Sequence, residues 1–425
     1  MASVLAVPLL LCLLASASAA RFAPADNHLL ACGATAPAVL PDCRRFVPDS
    51  GCASTRLRSP APTLHFYPFE PALASARFHV GAAGFLLLHN FSASAPVVKE
   101  FILPVHSDVL VLTFVPESGS NAFVNAIELV SAPDELVGDI GTLVTSSGTD
   151  QTNGLSSQVY EMLYRINVAG RKVTPFNDTL WRTWVNDERF LVSTESSNSG
   201  VWSFGGRIAY PKGSRLMTRE VAPDNVYNSA RSVSSQGKVT WGFPVPASSR
   251  YLVRMHFCDI VSKALNELYF DIYVNGQLAV KDFDISGATG FLAYPYYIDF
   301  VVDVEDEGAL KLAIGGSKNS RSDEVSGILN AVEIMRMNKT NGGIDGDFAV
   351  SLGMEYVASK GIGEFTRSLL CGFIFAGLLL VLLMLVVRLR TELRNNGTTW
   401  SWQPNDSGDG KLARAYQLVS AKTDY

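Results

Sequence analysis

The sequence predicts an all-β protein, two β-sandwiches in tandem with a jelly-roll-like outline, followed by a single transmembrane α-helix. Three observations carry this. Short segments rich in Val, Ile, Phe and Tyr alternate apolar with polar residues and are parted by Gly, Ser, Asn and Pro, the pattern of half-buried strands. Six of those segments recur in the same order. One run, Leu369 to Val387, is apolar throughout and holds no charge and no Pro. Roughly 20 such residues at about 1.5 Å each cover a hydrocarbon core of ~30 Å.

In chain order, Val4 to Leu14 is an apolar run of signal-peptide length, and Ala15 to Ala20 offer small residues for cleavage. Residues 1–20 are therefore expected to be a signal peptide. Arg388, Arg390 and Arg394 follow the long apolar run, which places the C-terminal side in the cytoplasm. The expected protein is a single-pass type I protein of the plasma membrane with its N-terminal domains extracellular. Its parts are a first sandwich over 21–150, a second over 151–338, a Gly-rich stalk over 339–368, the span over 369–387 and a tail over 388–425. Net charge is −5, which provides no basic face for nucleic acid.

Cys12 falls in the signal and Cys371 in the span, leaving Cys32, Cys43, Cys52 and Cys258 outside. In an oxidising compartment four cysteines permit two disulfides in three connectivities. One local bridge among Cys32, Cys43 and Cys52 is expected, with Cys258 a buried thiol in an apolar strand. Sequons at Asn90 (NFS), Asn177 (NDT) and Asn338 (NKT) lie on the outside, where N-glycosylation is expected.

The repeat is the most informative feature. LHFYP at Leu64, ARFHV at Ala76, HNFSAS at His89, VVKEFILPV at Val97, LVLTF at Leu110 and AFVNAIELV at Ala122 form the first copy. MHFCD at Met255, YFDIYV at Tyr269, KDFDIS at Lys281, YYIDFVVDV at Tyr296, LKLAI at Leu310 and GILNAVEIM at Gly327 form the second. The offset grows slowly, from 191 between Phe66 and Phe257 to 205 between Asn125 and Asn330. The second copy is longer in front, with YRINVAG at Tyr164, NDTLWRTWVNDERF at Asn177, VYNSAR at Val226 and TWGFPV at Thr240. No counterpart of TWGFPV precedes LHFYP, so the first sandwich is expected to be incomplete, with an unpaired edge.

These motifs, with YLVRMHFCDI, ILNAVEIMRMN and NAFVNAIELVSAPD, resemble the malectin-like ectodomain of plant receptor kinases of the FERONIA and THESEUS type. The resemblance implies two tandem malectin-like domains that sense wall polysaccharide and secreted peptide signals. It also implies a lipid-anchored co-receptor or a full-length receptor kinase as partner.

Chemistry is sparse. A kinase needs a Gly-rich loop, a strand Lys, an HRD loop and a DFG Asp, and residues 388–425 show none. Lys281 and Asp282 in LAVKDFDISG belong to a repeated strand and turn. The expectation is a receptor-like protein without enzymatic activity or cofactor; the alternative is a truncated form of a receptor Ser/Thr protein kinase. His256 and Cys258 share a strand face, yet no second ligand pair accompanies them, so a metal site is not expected. Asp299, Asp303, Glu305, Asp306 and Glu307 read as a solvated face. Trp184 and Trp241 read as core. Tyr294 and Tyr296, flanking Pro295, are the candidate ligand contacts, because aromatic faces stack on sugar rings.

Overall fold

The computed structural model describes residues 24–51, 56–59, 73, 75–194, 199–210, 217–305, 308–338 and 384. The expected signal peptide, the LHFYP block, Cys52, the stalk, the tail and, apart from Met384, the apolar span lie outside the described residues. Among the described residues, no helix is long and apolar enough to cross a membrane.

Strand-forming segments build an N-terminal set, with burial alternating most clearly along β4: β1 (Asn27–Ala31), β2 (Ala38–Val39), β3 (Arg45–Pro48), β4 (Phe78–Ala82), β5 (Phe85–Phe91), β6 (Glu100–Ile102), β7 (Leu112–Pro116) and β8 (Ala126–Val130). A C-terminal set begins with β9 (Gly141–Thr145), β10 (Gly148–Thr152), β11 (Tyr160–Asn167), β12 (Val185–Asn186), β13 (Leu191–Thr194), β14 (Val201–Ser203) and β15 (Ser229–Val233). It continues through β16 (Lys238–Val245), β17 (Ser249–Cys258), β18 (Phe270–Val274), β19 (Gln277–Phe283), β20 (Pro295–Val304), β21 (Gly308–Gly316), β22 (Gly327–Leu329) and β23 (Ala331–Met337). The short helices α1 (Asp224–Tyr227) and α2 (Ile285–Thr289) lie between strands of this set.

The C-terminal set forms one face as β10-β9-β20-β17-β23-β11-β12 and the opposing face as β13-β16-β21-β18-β19, with β14-β15-β22 beside them. The expected boundary at 150/151 cuts through β10, which pairs with β9, itself parallel to β20. Between the two large sheets lies the main core, in which Trp241, Phe243, Phe257, Phe270 and Phe300 have no exposed surface. From Tyr251 to Cys258 every residue of β17 is buried, so both faces of that strand are covered. The N-terminal set forms β2-β3-β1-β8 and β5-β4-β7.

The sequence repeat is also a repeat of backbone conformation. Hairpin β4–β5 pairs Phe78 with Phe91, Val80 with Leu88, Gly81 with Leu86 and Ala82 with Phe85. Hairpin β18–β19 pairs Phe270 with Phe283, Ile272 with Val280, Tyr273 with Leu278 and Val274 with Gln277. Each turn places both central residues at positive φ: Ala83 (48°) and Gly84 (84°) in one, Asn275 (49°) and Gly276 (83°) in the other. This is the type I′ geometry whose twist suits a two-residue hairpin. Just before the closing Phe, Asn90 (φ 49°) and Asp282 (φ 51°) are again left-handed, at the same bulge. Even the hydrogen bond that fixes the bulge recurs, from Asn90 N–H to His79 Nδ1 and from Asp282 N–H to Asp271 Oδ1. The order β5-β4-β7 is that of β19-β18-β21. The N-terminal sheet has no described strand beyond β7, where β16 and β13 extend the C-terminal one.

Candidate functional site

Alternation along a strand puts every second side chain on one face. On the outer face of the large sheet, β17 thereby presents Arg254, His256 and Cys258, β20 presents Tyr297 and Asp299, β23 presents Glu333, and β11 presents Arg165. These are not solvated. Arg254 donates from Nε and Nη2 to the two Asp299 oxygens at 2.8 Å and from Nη1 to the Leu136 carbonyl at 2.7 Å. The Tyr297 ring stacks on the same guanidinium at 4.0 Å. Arg165 donates from Nε to Glu333 at 2.8 Å and bridges onward to Glu100 of β6. Trp184, fully buried, takes Arg165 and Arg182 against its ring at 5.6 and 5.5 Å and donates from Nε1 to Asp178.

His256 is satisfied at both nitrogens, with Tyr227 Oη at 3.0 Å from Nδ1 and Glu333 Oε2 at 3.2 Å from Nε2. Nε2–H donates to the carboxylate, and Nδ1 accepts from the Tyr227 hydroxyl. Burial holds His256 below its ordinary pKa, and the Glu333 bond offsets only part of that. For Glu333 burial alone would raise the pKa, but the His256 hydrogen bond and the Arg165 charge hold it well below the usual carboxylate range. With its ring nitrogens engaged, His256 has no lone pair for a metal. Cys258 is a buried thiol that burial pushes well above its ordinary pKa, and among the described residues no group of three metal-ligating side chains forms. The expected solvated carboxylate face is corrected at Asp299, which is buried because Arg254 and Tyr297 cover it. Asp303, in contrast, meets Arg250 at the surface.

The two candidate tyrosines lie at one end of the C-terminal sandwich and differ in role. Tyr294 stacks nearly parallel on Phe291, with centroids 4.7 Å apart and planes inclined by 24°. Phe291 is 57% exposed, so the pair forms a flat apolar shelf. Its loop is tied down by Ala293, whose N–H donates to the Asp259 carbonyl and whose carbonyl accepts from Ala209. Tyr296, half-buried, leans on Phe283 at 5.8 Å within the sandwich end. Such a shelf can stack on a sugar ring or a peptide side chain. The sequence reading missed Phe291, although its place just after the left-handed Gly290 that ends α2 marks a loop tip. Two shallow cavities lie elsewhere. One, of about 190 Å³, has Lys238 Nζ 3.8 Å from the Tyr273 ring centroid, with Lys311 also lining it. The other, of about 390 Å³, lies beside Arg77 and Glu117.

Of the expected glycan sites, Asn177 is exposed at the end of a short 3-10 turn, and Asn90 is half-buried at the hairpin bulge. Asn338 accepts a hydrogen bond from Val159 N–H through Oδ1. Cys32 and Cys43 are free thiols, half-buried and exposed respectively, so no bridge joins these two; Cys52 lies outside the described residues.

The malectin-like domain profile matches residues 80–337. The chain belongs to the malectin-like family. It is 39% identical over 357 residues to the probable receptor-like protein kinase At5g24010 of Arabidopsis thaliana, covering 80% of this chain and 42% of that protein. With THESEUS 1 of the same plant identity is 34% over 382 residues, covering 77% and 44%, and with FERONIA 32% over 309, covering 67% and 34%. The chain thus spans less than half the length of the curated relatives it matches. Among solved structures, the plant peptide RALF23 in complex with FER and LLG2 matches at TM-score 0.63 and 27% identity, covering 77% of this chain and 100% of that one. The ANXUR2 extracellular domain from Arabidopsis thaliana matches at TM-score 0.64 and 25% identity, covering 76% and 98%. Malectin-like proteins related to this chain are therefore receptor-like kinases of the FERONIA and THESEUS type.

Proposed function

We propose that this chain is the outward-facing, ligand-sensing part of a plant cell-surface receptor. In this reading two tandem malectin-like domains, the first short of a strand, follow a cleaved signal peptide and are anchored by the 369–387 helix. They bind a secreted peptide together with a membrane-tethered co-receptor. The observation that carries the reading is the match over the whole length of a solved malectin-like chain, itself determined with a peptide and a second protein. The 425 residues hold no kinase motif. Catalysis in a receptor built on this chain therefore belongs to residues beyond these or to an associated kinase. The Asn90, Asn177 and Asn338 sequons are assigned to glycan, consistent with an extracellular location.

A second reading, wall carbohydrate at the Phe291–Tyr294 shelf, is favoured by the exposure of that stacked pair. One titration separates them: the purified chain is immobilised and exposed to synthetic RALF23 with and without LLG2, and in parallel to pectin oligosaccharides. Peptide binding strengthened by LLG2 is the expected result, and no peptide binding in either arm would sink the first reading. Carbohydrate binding abolished by Phe291→Ala would establish the second.

A further inference from the structure

Strand β6 is three residues long, and its only described strand partner belongs to the other strand set. In the C-terminal copy its counterpart β20 pairs along ten residues with β17. Here Glu100, Phe101 and Ile102 instead run antiparallel to Met162, Glu161 and Tyr160 of β11.

Both faces of this junction are clamped. Lys99 Nζ lies 2.6 Å from Glu161 Oε1, and Glu161 also accepts from Arg336. On the opposite face Glu100 grips Arg165 through two bonds of 2.8 and 2.9 Å, and Arg165 holds Glu333. Glu161 stands opposite Phe101 and Met162 opposite Glu100, so the Glu161 carboxylate that Lys99 meets and the Glu100 side chain lie on different sides. Glu161 and Arg165, four apart, would share a face in a regular strand. The register shift between Met162 and Tyr164 inserts one residue and turns Arg165 to the other side. Glu161, Arg165 and Glu333 are nearly fully buried, whereas Glu100 is 39% exposed at the rim.

Apolar contacts are exchanged as well. Val159, at the foot of β11, is fully buried among Ala82, Leu87 and Phe101 of the N-terminal set. In return Ile102 packs onto Tyr160, Met162, Leu252 and Met335 of the C-terminal set.

We propose that β6 is a locking strap: it fixes the N-terminal strands on the C-terminal sheet, so that the two sets present one preoriented surface. A partner that touches both sets then meets a fixed template and does not have to order a hinge.

Hydrogen–deuterium exchange on the intact chain tests this. Peptides covering 99–103 and 159–162 should exchange together and slowly, at least tenfold more slowly than the exposed β10. Glu100→Lys should speed both by tenfold or more while peptides from β16 and β21 keep wild-type protection. Fast exchange at 99–103 in the wild type, or no change in Glu100→Lys, would overturn the strap. Should Glu100→Lys loosen the whole chain, Glu100→Gln is the deciding variant. A rise confined to 99–103 and 159–162 supports the lock, and loss of protection throughout, or none, refutes it.

Discussion

The hairpins 78–91 and 270–283 share register, turn type and bulge, yet stand in different surroundings. Around the C-terminal hairpin, β16 and β13 extend the sheet, a second large sheet covers it, and Phe270 and Ile272 have no exposed surface. The N-terminal sheet has no described strand beyond β7, its small core of Phe78, Val80, Leu88 and Phe91 is covered by partly buried residues such as Phe101, Phe114 and Phe123, and Val98, Val109, Val111 and Val115 of the same strand set are each more than half exposed. The backbone geometry of the hairpin is therefore local, fixed by its turn and by the hydrogen bond at its bulge and the same in both surroundings. Burial, and with it most of the stability, comes from how many strands surround the hairpin.

The comparison breaks most readily at the core. Trp241 is fully buried and donates to Asp187, which also holds Arg231. Trp241→Ala should cost about 3–5 kcal/mol through the cavity and the loss of one hydrogen bond to Asp187, which keeps Arg231. Val115→Ala, on the N-terminal sheet, should cost under ~0.5 kcal/mol. Urea unfolding curves measure both, and equal losses would remove the asymmetry.

Next comes the buried charge line. Glu333→Gln leaves Arg165 without its buried partner and should cost on the order of 3 kcal/mol. An unchanged urea midpoint would show that Glu100 alone suffices for Arg165.

Acid should act at the same place in two stages. His256 is held below the 6.5 of an unperturbed imidazole, so the folded state favours the neutral ring. That contribution is complete above 6.5 and is lost as pH falls from there toward the folded-state value. Glu333 is held below the 4.5 of an unperturbed carboxyl, so its contribution is present above 4.5 and fades as pH falls further. Urea midpoints should decline below pH 6.5 and again below 4.5, and Glu333→Gln should shrink the second decline, leaving the part that Asp139 and Glu267 contribute. A midpoint constant from pH 7.5 to 5 would contradict the assignment of a neutral, buried His256.

The turns supply a smaller test. Ala83 occupies a left-handed position that Asn275 fills in the other copy, and Asn tolerates it better. Ala83→Asn should stabilise by roughly 0.5–1 kcal/mol and Asn275→Ala should destabilise by as much. The smallest effect is expected at Arg250→Ala: the Arg250–Asp303 pair is about half exposed on each side, and its loss should shift stability by less than ~0.5 kcal/mol.

Much of this was legible in the chain. Alternating blocks at a nearly constant offset exposed the repeat, because sheet faces impose period two on both copies alike. The core roles of Trp184 and Trp241 followed from their place inside strand blocks, and both are fully buried. What escaped was tertiary. Nothing in KEF says that its Lys and Glu answer residues of β11, because the inserted residue that turns Arg165 to the opposite face carries no Gly or Pro to mark it. Asp299 looked like one more surface carboxylate, since alternation cannot tell a solvated face from one roofed by Tyr297 and Arg254. The shelf was half seen: Tyr294 was named from its proline neighbour, whereas its stacking partner Phe291 sits three residues upstream across a loop that only folding closes.

The twin hairpins carry one more consequence. Aligned without a gap over fourteen residues, they agree only at Phe78 and Phe270, Gly84 and Gly276, Leu86 and Leu278, Phe91 and Phe283. The other ten side chains differ, yet every left-handed torsion is in place. What the two hairpins share is a sequence of dihedral angles, and either segment should serve as a graft for the other.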